Sequence, residues 1–367
     1  MTFIEERESI YSLPERLSIG ELSVLEMGET IDKAGRPYNR IDVQVGDESD
    51  RDPVKRDWYF EKASRFETFY HAHPEVSATY VDDQTGLLIV DEANIPAMDL
   101  YYHNGRETQM FEWGHQMMQA IALEGLQNLT KGGRFLKAGH LDLRTLERFT
   151  FMPDGIGLRS RQHIYSELLV EQAKQNPETD LRIVSLGSGA SVPNIEASLR
   201  VEQEAGKRIN WELFDIDTRA LGYAKDMVSD AGIQSSTFDF GPRSNNILQP
   251  GFAGRSYIEV RNQVEDASLD AVDALGLWEY LTDNQAVMFL KMMQAKLKPG
   301  APMIVSNMLK SRPQPLYNEK AVGWPAVIKR SAEDLLSIVE KAHIDTRNVT
   351  LHFPTDGVYA VMEIHKQ

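Results

Sequence analysis

The stretch Leu181-Arg182-Ile183-Val184-Ser185-Leu186-Gly187-Ser188-Gly189-Ala190-Ser191 decides the fold of this chain. The mostly apolar run at 181–186 is typical of a strand that is buried on both faces. Two glycines follow it, and they allow a tight turn and a close approach of the backbone to a ligand. Ser191 can cap a helix whose first turn holds Pro193. The stretch therefore predicts a strand, a ligand-binding turn and a helix.

Strands and helices alternate along the rest of the chain. We expect further strands at 211–214, 269–275, 302–308, 349–353 and 358–364, and helices that begin after Thr218, Thr282 and Ser331. Such alternation implies an α/β fold, in which helices cover both faces of a mostly parallel sheet. The short connection at 355–357 predicts that the last two strands form an antiparallel hairpin.

Residues 1–150 differ from this pattern. Strand-like segments at 76–80 and 87–90 flank a turn-rich connection, which predicts a β-hairpin. Apolar residues recur with helical spacing between 106 and 129, and a pair of glycines ends that helix. We therefore predict an N-terminal α+β accessory domain at 1–150 and a second domain at 151–367. The accessory domain is expected to cover the active site and shape substrate choice, or to form a homodimer contact.

Composition and charge limit the classes of function. The 367 residues include no cysteine, which excludes disulfides, thiolate nucleophiles and cysteine-bound metals. A net charge of −16 repels phosphate backbones, so we expect no nucleic-acid partner. No run of about 18 apolar residues occurs, and the acidic N-terminus does not resemble a secretory signal. We therefore expect a cytoplasmic protein that does not bind a membrane and acts on a small molecule.

Two histidines, His71 and His73, raise the question of a metal ion. Alternate residues share one face if the segment is a strand, but no third ligand follows at a typical spacing. We expect no metal site.

An acid follows the next predicted strand, in Phe214-Asp215-Ile216-Asp217. A carboxylate at a strand tip can accept both hydroxyl groups of an adenosine ribose. Nicotinamide dinucleotides use the same layout, but they need a third glycine where the helix begins, since their pyrophosphate sits there. Val192 and Pro193 occupy that place, and Pro193 has no N–H to donate. The turn therefore favours S-adenosylmethionine, which carries no phosphate.

With these motifs the sequence resembles the class I, Rossmann-like S-adenosylmethionine-dependent methyltransferase superfamily. The matching segments are Val184 to Gly189, Phe214 to Asp217, Ser268 to Val272, Trp278 to Leu281, and Leu297 to Gly300 with Met303 to Val305. The resemblance covers about 180–367. It implies a Rossmann-like, seven-stranded, mostly parallel sheet with an antiparallel C-terminal hairpin.

The resemblance also implies roles for particular residues. Those expected to contact the cofactor are Gly187, Ser188, Gly189, Asp215, Ile216, Asp239, Phe240, Leu275 and Gly276. The glycines would pass beneath the methionine part, the acid at 215 would hold the ribose, and the pair at 239–240 would lie beside the adenine. Asn262 to Asp266 is a competing choice for the adenine. Ser185 stands where the superfamily usually has an acid, so backbone carbonyls near Leu275 would accept the methionine ammonium.

The candidate catalytic residues are Glu279 and Tyr280. They follow the segment that resembles the fourth strand of the superfamily. Glu279 could take a proton, and Tyr280 with Trp278 could face the cationic sulfonium. The alternative is that the two aromatic rings only contact the next helix.

Two further segments have open interpretations. The segment with Arg159, Arg161, His163 and Tyr165 could fold over the cofactor and bind its carboxylate through an arginine, or could be an ordinary solvated helix face. Residues 310–330 are long and irregular, which is typical of a substrate loop.

The sequence thus predicts a transferase, an S-adenosylmethionine-dependent methyltransferase that methylates oxygen or nitrogen of a small molecule. Three alternatives remain at this point. One is an enzyme on the same fold that transfers the aminocarboxypropyl group of the cofactor. The others are a non-catalytic scaffold that binds the cofactor or a partner protein, and a nicotinamide enzyme.

Overall fold

The strand before the predicted ligand turn lies inside a nine-stranded sheet of the described residues. The computed structural model describes residues 22–74, 80–81, 88–89, 151–189, 191–215, 218–233, 235–240, 264–321 and 327–367. Its strands are β1 (Leu22–Ile31), β2 (Pro37–Val45), β3 (Tyr80–Val81), β4 (Leu88–Ile89), β5 (Asp180–Leu186), β6 (Arg208–Phe214), β7 (Thr237–Asp239), β8 (Ala271–Ala274), β9 (Pro302–Met308), β10 (Val349–Pro354) and β11 (Tyr359–His365).

Six α-helices are described. They are α1 (Pro53–Ala72), α2 (Pro153–Gln175), α3 (Val192–Ala205), α4 (Thr218–Ala231), α5 (Asp283–Lys296) and α6 (Ala332–Lys341). Short helical turns occur at Glu48–Arg51, Trp278–Tyr280, Tyr317–Ala321 and Thr346–Asn348. None of the described helices is long and apolar enough to cross a membrane.

The main sheet has the order β1-β2-β10-β11-β9-β8-β5-β6-β7. Strands β9, β8, β5, β6 and β7 run parallel to one another, whereas β11 is antiparallel to β9 and β10. Chain order reverses between β5 and β8, as in a doubly wound Rossmann-like sheet. The predicted α/β fold is confirmed, including the antiparallel hairpin of β10 and β11.

Strands β1 and β2 extend the sheet beyond the seven strands predicted. β2 pairs parallel with β10, with Asn39 opposite Thr350, and β1 pairs antiparallel with β2. Val43 and Val45 of β2 are buried in the same apolar cluster as β5 and β6. Residues 22–45, which the sequence placed in the accessory domain, therefore belong to the sheet.

Apolar residues of the central strands point to both faces of the sheet. On one face, Val184 and Leu186 contact the cluster formed with α5 and α6. On the other, Leu181 and Ile183 contact the cluster formed with α2 and α3. This alternation explains why the strand at 180–186 reads as almost continuously apolar, since both faces are covered.

Two of the predicted helix caps are confirmed. Thr282 and Gln285 form a capping box at α5, and Ser331 and Asp334 form another at α6. The predicted cap at Ser191 is wrong. Ser191 directly precedes α3, but it has a left-handed backbone with φ +60° and its hydroxyl makes no capping bond. An N-cap needs an extended backbone to aim its oxygen at the helix amides.

The chain divides into two compact units. Unit 1 comprises residues 1–20, 46–159 and 312–327, and unit 2 comprises 21–45, 160–311 and 328–367. Within unit 1, Glu67 of α1 accepts hydrogen bonds from the backbone amides of Leu316 and Tyr317, at 2.8 and 2.9 Å. Part of the predicted substrate loop at 310–330 thus forms a helical turn held against α1.

Only some of the other predictions for residues 1–150 concern residues that the structure describes. Tyr80 pairs with Ile89 in a two-stranded antiparallel sheet, so the described residues include a short piece of the predicted hairpin. His71 lies in the last turn of α1 and His73 caps it, so the two do not alternate along a strand. The helix predicted at 106–129 lies outside the described residues.

Candidate functional site

The glycine turn after β5 is tied to the end of β6. The backbone amides of Gly187 and Ser188 both donate to the carbonyl of Phe214, at 2.8 and 3.2 Å. Gly187 and Gly189 have left-handed backbones with φ +67° and +55°. A methyl group on Gly187 would lie 2.9 Å from Cβ of Leu277, so the close approach of the chain after β8 already demands glycine here.

Asp215 lies directly after β6, next to this turn. Its carboxylate is buried, with the residue 6% exposed, and it accepts a hydrogen bond of 2.7 Å from the amide of Gly189. Asp215 therefore fixes the second glycine while lying at the carboxyl end of the strand. The neighbouring candidate Ile216 lies outside the described residues.

The described parts of the two candidate adenine segments, 239–240 and 264–266, lie at opposite ends of the strands, whereas 262 and 263 lie outside the described residues. Asp239 is the last residue of β7, and Phe240 follows it with its ring 6.0 Å from that of Phe238. Asp266 precedes β8, and its carboxylate accepts a 2.7 Å hydrogen bond from Nζ of Lys296. Of these two acids, Asp239 is on the side of the glycine turn.

Leu275 and Gly276 directly follow β8, where the strand order reverses. The carbonyl of Leu275 accepts a 2.6 Å hydrogen bond from the hydroxyl of Ser306. A methyl group on Gly276 would lie 3.8 Å both from the carbonyl oxygen of Gly187 and from Nη2 of Arg161. The ends of β5 and β8 thus meet at the point where doubly wound sheets bind their ligands.

Arg161 of α2 reaches this point with a buried guanidinium, and the residue is 3% exposed. Its Nη1 lies 3.3 Å from Oγ of Ser306 and 3.9 Å from Oε1 of Glu279. The guanidinium carbon lies 4.6 Å from the centre of the Tyr359 ring. Helix α2 therefore contributes one cation, the guanidinium of Arg161, at the point where the strand order reverses.

The other polar residues at the start of α2 have different partners. Arg159 forms a buried ion pair with Asp47 within unit 1, with an Nη2–Oδ2 distance of 2.8 Å. His163 lies 3.0 Å from Glu196 of α3. The alternative of an ordinary solvated helix face is wrong for Arg159, Arg161 and His163, since all three are buried.

The candidate catalytic residues lie in the turn Trp278–Tyr280. Glu279 is 2% exposed and faces Arg161, while Tyr280 is half-buried. The Trp278 ring meets Phe289 of α5 edge to face at 5.5 Å. Trp278 is fully buried and packs against the next helix, which was the alternative left open for it.

Arg330 braces that turn, and no sequence pattern pointed to it. Its guanidinium donates to the backbone carbonyls of Trp278 and Leu281 and to Oδ1 of Asn307. The residue is 1% exposed. A buried arginine that joins the turn to the end of β9 fixes the position from which Glu279 projects.

A second buried polar group, centred on Asp273 of β8, was also not predicted from the sequence. Its carboxylate accepts hydrogen bonds from Tyr165, Ser185 and Asn194, at 2.7, 2.8 and 3.2 Å. Burial raises the pKa of Asp273 to about 7, against the effect of these three donors. An aspartate inside an otherwise apolar strand was the available signal. It lies opposite Ser185 in the ladder of β5 and β8.

The chain is similar to several solved structures of low sequence identity. A possible exported protein from Bordetella parapertussis has 15% identity, covers 72% of this chain and 98% of its own, and gives a TM-score of 0.47. The S-adenosylmethionine-dependent methyltransferase SibL has 16% identity, with 79% and 81% covered and a TM-score of 0.37. The magnesium protoporphyrin IX methyltransferase ChlM from Synechocystis PCC 6803, with S-adenosylmethionine bound, has 12% identity, with 75% and 98% covered and a TM-score of 0.41.

No protein-family profile matches the chain, and no curated protein matches it. The solved structures are distant, so the function has to be argued from the residues of the site.

Proposed function

We propose that this protein is an S-adenosylmethionine-dependent methyltransferase that methylates oxygen or nitrogen of a small molecule. The observation that carries the proposal is the buried guanidinium of Arg161 beside Gly276, at the reversal of strand order. Ligands of doubly wound sheets bind there, and arginine is suited to a carboxylate. S-adenosylmethionine brings a carboxylate to this point without a phosphate.

The polar groups around the turn fit that cofactor. Asp215 would accept the ribose hydroxyls, and Asp239 with Phe240 would lie beside the adenine. The hydroxyl of Ser188 is buried and has no hydrogen-bond partner among the described residues, so a polar ligand could use it. The residues of unit 2 therefore supply an acceptor for the ribose and donors for the carboxylate.

The start of α3 favours this cofactor over a dinucleotide. Pro193 lies in its first turn and has no N–H. The next side chain, Asn194, donates to Asp273 inside the protein. A pyrophosphate needs several free donors at a helix N-terminus, and this helix offers fewer of them.

The reaction requires little of the protein beyond positioning the cofactor and the acceptor. The cofactor, when bound, supplies a methyl group on a sulfonium, and transfer is an in-line displacement by the acceptor atom. The protein's residues would hold the two molecules in line and exclude water. Glu279 and Tyr280 remain the predicted catalytic residues, on the turn after β8.

Calorimetric titration with S-adenosylmethionine, S-adenosylhomocysteine and NAD tests the proposal. We expect micromolar binding of the first two ligands and none of NAD. Binding of NAD alone, or of none of the three, would contradict it. With an acceptor in hand, release of methylthioadenosine instead of S-adenosylhomocysteine would point to aminocarboxypropyl transfer.

Replacing Asp215 by alanine should weaken S-adenosylmethionine binding by about 10- to 100-fold, because hydrogen bonds to a charged acceptor are lost. Asp180→Ala is the matched control. Asp180 starts β5 at the other end of the strands and pairs with Arg208 on the surface. Equal affinities of the Asp215 variant and the wild type would remove Asp215 from the site.

A further inference from the structure

Asp273 of β8 is hydrogen-bonded to residues on both sides of the glycine turn. Ser185 comes before the turn and Asn194 after it, and both side chains donate to the carboxylate of Asp273. We infer that Asp273 is a positioning residue for the cofactor, and that its ionised carboxylate holds the turn in the geometry that binds S-adenosylmethionine. The inference rests on the proposed function, since it concerns how the proposed cofactor turn is held.

One carboxylate joins the two ends of the turn. Oδ1 of Asp273 accepts from the hydroxyl of Ser185 at 2.8 Å, and Oδ2 accepts from the side-chain amide of Asn194 at 3.2 Å. Ser185 lies in β5 and Asn194 in the first turn of α3. Gly187 and Gly189 lie between them in the chain. Because all three polar side chains are buried, the carboxylate fixes the distance that the turn has to span.

The same carboxylate also holds helix α2. The hydroxyl of Tyr165 donates to Oδ2 of Asp273 at 2.7 Å, and its oxygen accepts from Asn194 at 3.2 Å. The network therefore ties four elements, α2, β5, α3 and β8, to one buried acid. Closely packed interiors transmit strain, so a change in this acid reaches the turn through Ser185 and Asn194.

Ionisation changes what the carboxyl group of Asp273 can accept. An ionised carboxylate only accepts hydrogen bonds, whereas a protonated one donates through one of its oxygens. Each of the three partners donates to Asp273, so protonation forces at least one of the three bonds to reverse or break. The ends of the turn are then held less tightly.

Both forms of Asp273 are populated near neutral pH. Burial raises its pKa to about 7, against the three hydrogen bonds, which lower it. Tyr165 stays neutral in this range, because burial and the adjacent carboxylate raise its pKa well above the usual value of 10. Ile304 of β9, which pairs with Asp273 in the sheet, carries no charge. The turn therefore responds to pH around neutrality.

The affinity for the cofactor should rise with pH, in the direction opposite to stability. In this assignment the ionised form binds, so the apparent affinity scales with the ionised fraction. For a pKa of about 7 that fraction rises from about 9% to about 91% between about pH 6 and about pH 8. The stability of the fold falls over the same range, because the unfolded chain favours the ionised form. A merely structural role would make affinity follow stability instead.

Calorimetric titration with S-adenosylhomocysteine at a series of pH values tests the inference. Between about pH 6 and about pH 8 the affinity of the wild type should rise about 10-fold relative to that of Asp273→Asn, which keeps the shape but does not ionise. The ligand's own ammonium titrates equally with both proteins and cancels in this ratio. In buffers of different ionisation enthalpy at about pH 7, the wild type should release about half a proton more per bound ligand than the variant.

Two further variants separate positioning from folding. Asp270→Asn is the matched control, because Asp270 is also buried but directly precedes β8, where it pairs with Lys298. Its pH profile of affinity should equal that of the wild type. Ser185→Ala keeps the titrating group and removes one hydrogen bond that lowers its pKa, so the rise in affinity should move to higher pH. Thermal melting shows whether each variant is folded.

Equal pH dependence of affinity in the wild type and in Asp273→Asn, with equal proton release, would overturn the inference while the proposed function stands, since both proteins would still bind. If Asp273→Asn does not fold, an unshifted pH profile of Ser185→Ala would overturn it in the same way. Failure of the wild type to bind S-adenosylhomocysteine at any pH would instead overturn the proposed function.

Discussion

Replacing Gly187 by alanine is expected to lower the free energy of unfolding by about 3 kcal/mol, from the sum of left-handed strain and overpacking. The backbone at 187 has φ +67°, and the new methyl group would meet Cβ of Leu277 at 2.9 Å. The turn and the chain after β8 must then move apart. S-adenosylmethionine binding should fall roughly 100-fold, because the ligand would have to restore the strained turn.

Two other glycines separate the causes of this effect. Gly206 has a similar φ of +64°, but among the described residues other than its chain neighbours none has an atom within 4 Å of the methyl position. Gly206→Ala should therefore cost about 1 kcal/mol. Gly276 lies in the crevice without a left-handed backbone, and its nearest atoms are at 3.8 Å, so Gly276→Ala should fold normally. Urea unfolding measures the free energy of unfolding of all three variants. A cost for Gly187→Ala no greater than that for Gly206→Ala would show that the collision is relieved easily.

Asp273 should make the stability of the protein depend strongly on pH. Burial raises its pKa in the folded protein to about 7, from an ordinary value of 3.8. The unfolded chain therefore releases this proton at lower pH than the folded protein does. The stability associated with protonated Asp273 is complete below the unfolded pKa and is lost as the pH rises through the folded pKa. The full loss is about 4 kcal/mol.

The variant Asp273→Asn removes this titration. Between about pH 4 and about pH 7 the free energy of unfolding of the wild type should fall by up to about 4 kcal/mol relative to that of the variant. Urea unfolding at a series of pH values measures this difference. Tyr165→Phe sharpens the test. The Tyr165 hydrogen bond lowers the pKa of Asp273, so its removal should extend the loss to higher pH. A constant difference between wild type and Asp273→Asn would mean that Asp273 ionises normally in the folded protein.

The local elements of the sheet domain could be predicted because short-range signals specify them. The apolar run before Gly187, the capping residues Thr282 and Ser331, and the turn at 355–357 each act over a few residues. Their alternation was enough for the fold class. The position of Asp215 at a strand tip followed from the same pattern, since the carboxyl ends of parallel strands share one edge of the sheet.

The contacts that give the site its chemistry are long-range. Arg161 meets Ser306 at a separation of 145 residues, and Tyr165 meets Asp273 at a separation of 108 residues. Composition and periodicity carry no information on such pairs. The same holds for β2, whose partner β10 is about 300 residues away. The sequence therefore predicted which loops surround the crevice, but not that Glu279 would face an arginine.

The pairing of β2 with β10 has a consequence for synthesis on the ribosome. The hairpin of β1 and β2 is translated about 300 residues before its partner, which corresponds to roughly 15 to 60 s at about 5 to 20 residues per second. A two-stranded hairpin is only marginally stable in water. During that delay its unpaired edge and the apolar Val24, Leu25 and Met27, which stay exposed in the finished sheet, are open to other chains. We expect the nascent chain to depend on chaperones until β10 is made.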